Sequence, residues 1–457
     1  MTGAGGGAAW RFALGRRPAT VIRSRPVTAR SAAAQSVATP RFAALHSRDY
    51  RWYYALGLVA MTADNIEHVI SYWVMFQTFH SPTLGGFAVI SHWVPFLLFS
   101  FHAGALADRY DCRKLIQISQ ALFMVASIAW GVLFLTGRLQ IWHAVVILIV
   151  HGSAGVIGAP AQQLIIHDMV GAQHLPSAIR LNASSRYLAI LLGPAIGGGL
   201  MLLLGPAWGL LANVGIYLPF TIFLTRVRYT GHAHASGQPP RARLSLAHAW
   251  RLLSQVRADR RLVTMIALGG ITSFFVGNAF QAQMPEYAHD LGSDEAGLWY
   301  SVLLAANAAG AIMGTVLLES VGSLRPSART AILCAGAWAL TIGLFAFASS
   351  YPVAVTLLVL AGVFNLAFTS IAQTLVQMLA PPRVRGSVVG LFNTAILGLR
   401  AGSGITVGVL GAIIGVHWSL ALSAAAVVVT AAGMLAMSQM GGSERPPHPP
   451  GARDAPA

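Results

Sequence analysis

Gly104-Ala-Leu-Ala-Asp108-Arg109-Tyr-Asp-Cys-Arg113-Lys114 closes one run without acidic or basic side chains, 84–106, save histidine, and opens a second, 115–136. Each run exceeds the roughly 20 residues that an α-helix needs to cross a hydrocarbon layer, so the charges between them mark a short turn at a membrane surface. Gly104 permits a close turn, and Asp108 can accept hydrogen bonds from Arg113 or from a helix N-terminus. Arg109, Arg113 and Lys114 hold the edge of the layer.

Outward from this turn the same pattern repeats. Apolar runs cover 52–79, 84–106, 115–136, 140–167, 175–204 and 207–225, then 262–288, 296–319, 328–349, 352–379, 385–415 and 416–439. A chain inside lipid must satisfy its backbone groups within each segment, which makes these runs about twelve helices of an all-α integral membrane fold. Composition agrees, with 55% hydrophobic and 10% charged residues. The net charge of +16 would raise nucleic acid as a partner in a soluble chain. Here the basic residues sit in tails and alternate loops without an aromatic-interleaved stripe, which argues for a lipid bilayer and against nucleic acid. Cys112 and Cys334 lie too far apart to build a disulfide framework or a thiolate site.

The runs divide the chain into a basic tail over 1–45, a six-helix half over 46–225, a polar linker over 226–261, a second half over 262–440 and a Pro-rich tail over 441–457. Both tails read as disordered. The linker segment from Leu244 to Val256 repeats its apolar residues at helical spacing, the pattern of a helix lying on a membrane surface. Arg109, Arg113 and Lys114 follow the second run, Arg180 follows the fourth, arginines crowd the linker, and Arg325, Arg329, Arg383 and Arg385 continue that side, while the opposite loops carry Arg138 alone. The positive-inside rule then places both termini in the cytoplasm. An offset of 211 relates Asp108 to Glu319, Lys114 to Arg325, Gln162 to Gln373, Asn182 to Asn393, Gly193 to Gly404 and Gly197 to Gly408. Parallel repeats of this kind build transporters that rock around a central cavity.

Leu191-Leu-Gly193-Pro194-Ala-Ile-Gly197-Gly198-Gly199 lies in the fifth run, where the proline removes a backbone hydrogen bond and the glycines let a neighbouring helix come close. With the Gly104–Lys114 turn, Pro160-Ala-Gln162-Gln163, Leu175–Asn182 and Pro381–Gly386, this stretch resembles the major facilitator superfamily in its enterobactin-exporter-like and drug-efflux branch. The resemblance covers about 45 to 440 and implies alternating access, with the Gly104–Lys114 turn as a cytoplasmic gate and Gly193, Pro194, Gly197 and Gly198 as an antiporter signature. The arginine that many such antiporters carry in the fourth span is absent near His151.

Ionisable residues inside a span are costly, at least about 2.5–3.5 kcal/mol each when unpaired, and are functional candidates by default. Asp64, Glu67 and His68 share the middle of the first run, with Asp64 and His68 one helical turn apart, a cluster able to take and release a proton. Arg186 and Arg400 stand inside the fifth and eleventh runs, and would face the cavity to attract an anionic or catecholate-like solute, or pair with the first-run acids. His92 and His102 in the second run and His143, His151 and His167 in the fourth are scattered without two-ligand helical spacing, so no metal site is expected. Walker, nucleophile-elbow and zinc-protease motifs are missing, which argues against an ATP-driven pump and against an enzyme. The reading is a monomeric secondary-active transporter of a bacterial inner membrane, driven by a proton gradient without a bound cofactor and exporting a drug or siderophore-like small molecule. A proton-coupled importer comes second, and a non-transporting sensor or scaffold third.

Overall fold

The computed structural model describes residues 42–232, 257, 259–292, 297–321, 327–381 and 385–440. Most of the expected N-terminal tail, the surface helix expected over 244–256, Arg383 and the C-terminal tail lie outside the described residues. Within them every regular element is helical. After a short 3-10 turn at Ala43–His46 come α1 (Arg48–Phe79), α2 (Pro82–Arg109), α3 (Cys112–Leu135), α4 (Ile141–Leu204) and α5 (Pro206–Arg226).

Local chemistry sets these limits. Ser47 accepts a hydrogen bond from the Tyr50 amide to start α1, Ser81 does so for Leu84 with Pro82 at the first turn of α2, and Asp111 does so for Arg113 at the start of α3. Gly171 breaks α4 with a φ of 67°, so its nominal 64 residues are two helical arms that match the runs expected over 140–167 and 175–204.

The second half departs more from single straight spans. The run expected over 262–288 is Arg260–Phe275, Ala279–Ala282 and Met284–Asp290 in succession, broken at Gly277 with φ 47°. Leu298–Val321, Ala328–Phe345 and Tyr351–Leu379 come next as continuous helices. The run over 385–415 contains two π-helical stretches, Thr394–Gly398 and Gly404–Val409, on either side of Arg400–Ser403. Each wide turn rotates the downstream residues around the helix axis, which moves the contacts of this helix off the simple repeat offset. Val416–Met440 closes the bundle.

Among the described residues ten helices are long and apolar enough to cross a membrane, and Leu188–Leu204 is a shorter apolar helix. Helix α1 is not among the ten although it has 32 residues. Asp64, Asn65, Glu67 and His68 in its middle lower its hydropathy, so the departure comes from the polar cluster and not from length.

Packing differs between the two ends of the bundle. At the end that carries Ser81, a single apolar core joins residues of α1 to α4, such as Ile66, Trp73 and Val89, to residues from Val276 to Val427. At the end that carries Asp108, one core is confined to residues 44–229 and another to residues 262–435. Polar contacts obey the same division. Tyr300 donates to the Val69 carbonyl at 3.0 Å, Gln283 to the Pro82 carbonyl at 2.7 Å, and the Trp93 indole to Asn278 at 3.2 Å. At the seam Gly86 faces the Gly404 carbonyl and the Gly408 backbone with no room for a Cβ.

A side chain at Gly86 must therefore push the halves apart. Gly86→Leu is expected to raise the labelling of cysteines introduced at Ser81 and Gly292 by a water-soluble maleimide; unchanged labelling in folded protein would contradict a seam closed by glycine contact.

Candidate functional site

Helix α1 carries the charges, and its neighbours supply their partners. Glu67 is 1% exposed. A carboxylate there needs hydrogen-bond donors or a counter-charge, because burying it bare costs far more than any single packing contact returns. Ser127 of α3 donates to one carboxylate oxygen at 2.6 Å, and His151 Nδ1 of α4 lies 2.8 Å from the other. Asn213 of α5 donates to Ser127 Oγ at 3.3 Å and to the Ala63 carbonyl at 2.9 Å, which ties a fourth helix to the same carboxylate.

Asp64 stands one turn earlier, with Oδ1 3.2 Å from His151 Nε2. His68 Nδ1 lies 2.8 Å from the Asp64 carbonyl and 3.8 Å from its carboxylate. The His68 ring lies 4.7 Å from that of His151 and 5.1 Å from that of His92 on α2. Phe123 closes over His151 with ring centres 4.8 Å apart. Three imidazoles and the Glu67 carboxylate thus line one pocket with Ser71, Tyr72, Ala88, Trp130 and Leu148, with space for about one water-sized guest, and Asp64 adjoins it through His151.

Glycines bring the helices close enough for this. Gly152, next to His151, meets the Ser91 carbonyl and lies within 3.0 Å of the His92 Cα once a Cβ is added, so α2 and α4 touch backbone to backbone at the histidines. Gly193 faces Asn65, and Gly197 faces Val69 Cγ1 at 3.2 Å, which lays the second arm of α4 along the charged turn of α1. Gly198 faces Ser301 of the other half, and Pro194 sits inside an unbroken helical arm.

Asp64, Glu67 and His68 of the expected site are thus brought together. The two arginines are not. Arg400 places its guanidinium 4.9 Å from the Trp93 ring centre, beside the pocket, whereas Arg186 is exposed on the second arm of α4. Sequence spacing missed His92, His151, Ser127 and Asn213 as members of the cluster, because each comes from a different helix. The signal available was a polar side chain inside an otherwise apolar run.

At the Gly104–Lys114 turn the partner of Arg113 differs from the expectation. Arg113 pairs with Asp111 and not with Asp108, its Nη2 2.6 Å and its Nε 3.0 Å from the carboxylate oxygens. Two residues of separation across the turn suit this closed ring. Arg113 also reaches the Val227 carbonyl, and His232 lies 3.1 Å from the Ala107 carbonyl and 3.2 Å from that of Asp108. Asp108, Arg109 and Lys114 are exposed, and Gly104 has open space around it. Its bonds to Arg113 hold the Asp111 carboxyl below the usual carboxylate range, so this contact persists above that range and weakens as pH falls through the lowered value.

Two substitutions test this geometry. Asp111→Ala is expected to lower the thermal midpoint in detergent more than Asp111→Asn, which keeps the cap worth about 1 kcal/mol and loses the ion pair; equal midpoints would argue against the cap. Gly152→Ala is expected to cost about 1–3 kcal/mol by overpacking α2 against α4, seen as a lower midpoint, whereas an unchanged midpoint would mean that the two helices are not in backbone contact.

A family model described as transmembrane secretion effector matches residues 39–445. The enterobactin exporter EntS of Citrobacter koseri is 26% identical over 361 residues, 76% of this chain and 82% of that protein. EntS of Salmonella choleraesuis is 25% identical over 297 residues, 64% and 68% of the two chains. A staphyloferrin A transporter of Staphylococcus aureus is 23% identical over 149 residues, 32% of this chain and 38% of that protein. Among solved structures, nucleoside transporter NupG superposes with a TM-score of 0.66 at 15% identity, covering 86% of this chain and 99% of its own. A D-xylose–proton symporter gives 0.61 at 17% identity, covering 84% and 96%. These likenesses show the fold, and the family match covers most of the chain. The chain belongs to the transmembrane secretion effector family of the major facilitator superfamily, a family of multi-pass membrane transporters.

Proposed function

We propose that this transporter is a proton-coupled exporter of a small molecule, siderophore-like or drug, working by alternating access in a bacterial inner membrane with both termini in the cytoplasm. The observation that carries the reading is the group of half-buried Asp64 with buried Glu67 and His151, held on α1 and α4 beside the surfaces where the halves meet. A carboxylate group that passes between a closed site and one open to water can take up and release a proton as its surroundings change. Closure at the Ser81 end together with separate cores at the Asp108 end supports a cycle in which the opposite arrangement alternates with this one.

Export is favoured by the Gly193–Gly198 signature and by siderophore exporters among the relatives. Arg400 over Trp93 supports a cationic and aromatic wall for an anionic, catecholate-like solute. Arg186, on the exposed face of α4, is kept as a second cavity candidate. The basic turn Arg109–Lys114 supports a cytoplasmic position for that end.

Inside-out vesicles with an acid interior provide the test. A panel of siderophores and hydrophobic drugs is expected to contain a solute that accumulates and dissipates the gradient. Asp64→Asn and Glu67→Gln should each lower that accumulation about tenfold or more, equal to about 1.4 kcal/mol. Intact proton-driven accumulation in both variants would remove the coupling role from these acids.

A further inference from the structure

We infer that His68, His92 and His151 form a binding site for a first-row divalent metal ion of the Zn²⁺ class, with Asp64 as the fourth ligand. One imidazole nitrogen of each histidine lies within 4.8 Å of the others, although the three come from α1, α2 and α4. The inference shares its location with the coupling cluster of the proposed function and is independent of which solute is carried.

Three observations separate this trio from histidines that merely fill a core. The first is an orienting shell. His151 Nδ1 is held by the Glu67 carboxylate at 2.8 Å and His68 Nδ1 by the Asp64 carbonyl at 2.8 Å, which leaves the Nε2 atom of each ring for a ligand. A carboxylate or carbonyl behind the non-ligating nitrogen is the arrangement that fixes metal-binding imidazoles, and here Ser127 and Asn213 fix the Glu67 carboxylate in turn.

The second is unspent bonding capacity. His151 Nε2, His92 Nδ1 and Asp64 Oδ1 are buried atoms without a hydrogen-bond partner, and His151 itself is 5% exposed. The first and last of these atoms lie 3.2 Å apart, close enough for charge attraction but without the alignment of a hydrogen bond. Buried polar atoms are ordinarily paired, and here only the His151 Nε2–Asp64 Oδ1 ion pair and the bare His92 Nδ1 stand at the cluster, which leaves bonding capacity for a guest. The pocket admits about one water-sized body, which suits a bare ion and excludes an organic solute.

The third is charge. Asp64 and Glu67 place two carboxylates beside the imidazoles, and the charge of a divalent ion balances both. Three nitrogens and one oxygen suit Zn²⁺, Co²⁺ or Cu²⁺, and do not suit Mg²⁺ or Ca²⁺, which take oxygen ligands. Tetrahedral Zn²⁺ with bonds of about 2.0–2.1 Å places its ligand atoms about 3.3 Å apart. The side chains must therefore close inward from 4.8 Å when an ion binds.

The probe is Co²⁺, whose visible absorption reports tetrahedral coordination by nitrogen and oxygen. Untagged full-length protein, stripped with a chelator in detergent near neutral pH, is titrated with Co²⁺ and then with Zn²⁺ as competitor. The expected result is a tetrahedral spectrum at one ion per chain, displaced by Zn²⁺ and unaffected by Mg²⁺. His92→Gln and His151→Gln should each weaken binding about 100-fold or more, while His143→Gln, remote from the pocket, leaves it unchanged. No tetrahedral spectrum from wild-type protein of native helicity, or equal affinity in His92→Gln, overturns the site. Absence of metal binding with intact proton-driven accumulation removes the metal site alone; metal binding without any proton-driven flux removes the coupling reading alone.

Discussion

A carboxylate in the interior of a membrane bundle must be matched by groups from the same chain, and Glu67 shows how far that requirement reaches. Its two oxygens engage Ser127 and His151, and Asn213 supports Ser127, so four of the five helices that begin the bundle meet at one acid. Apolar packing in lipid is weakly directional, since a leucine gains little by exchanging lipid for protein. The polar group fixes which faces of α1, α3, α4 and α5 must turn inward.

Small residues make that arrangement physically possible. Gly152 lets α4 touch α2 beside the histidines, and Gly193 and Gly197 let its second arm lie on the charged turn of α1. The same device, used between the halves at Gly86, Gly404 and Gly408, closes the Ser81 end. A seam of glycines separates with little rearrangement of side chains, which suits a surface that must open and close. At the Asp108 end the two cores are already separate, and the Asp111–Arg113 pair with its reach to Val227 ties the turn to its own half instead of across the cleft.

Protons and divalent ions meet the same electrostatic need at the cluster. Either neutralises Asp64 and Glu67, and the pocket between the imidazoles is too small for anything larger than an ion or a water. Arg400 against Trp93 lies outside the lining of this pocket.

The amino-acid sequence by itself determined the membrane class, the positions of nearly all helices and the place of the Gly104–Lys114 turn, because apolar run length and the need to satisfy backbone groups within lipid are local properties. It also marked Asp64, Glu67 and His68, since charge inside an apolar run is visible one residue at a time. Tertiary structure decided the rest. The interruption at Gly277, which lies against Ser403 of its own half, and the π turns beside Arg400 depend on tertiary packing that hydropathy does not encode. Asp111 in place of Asp108 as the partner of Arg113 came from the geometry of a two-residue turn. His92 and His151 joined the acids because Gly152 brings two helices within backbone contact, a coincidence of faces that no spacing along one chain segment can show.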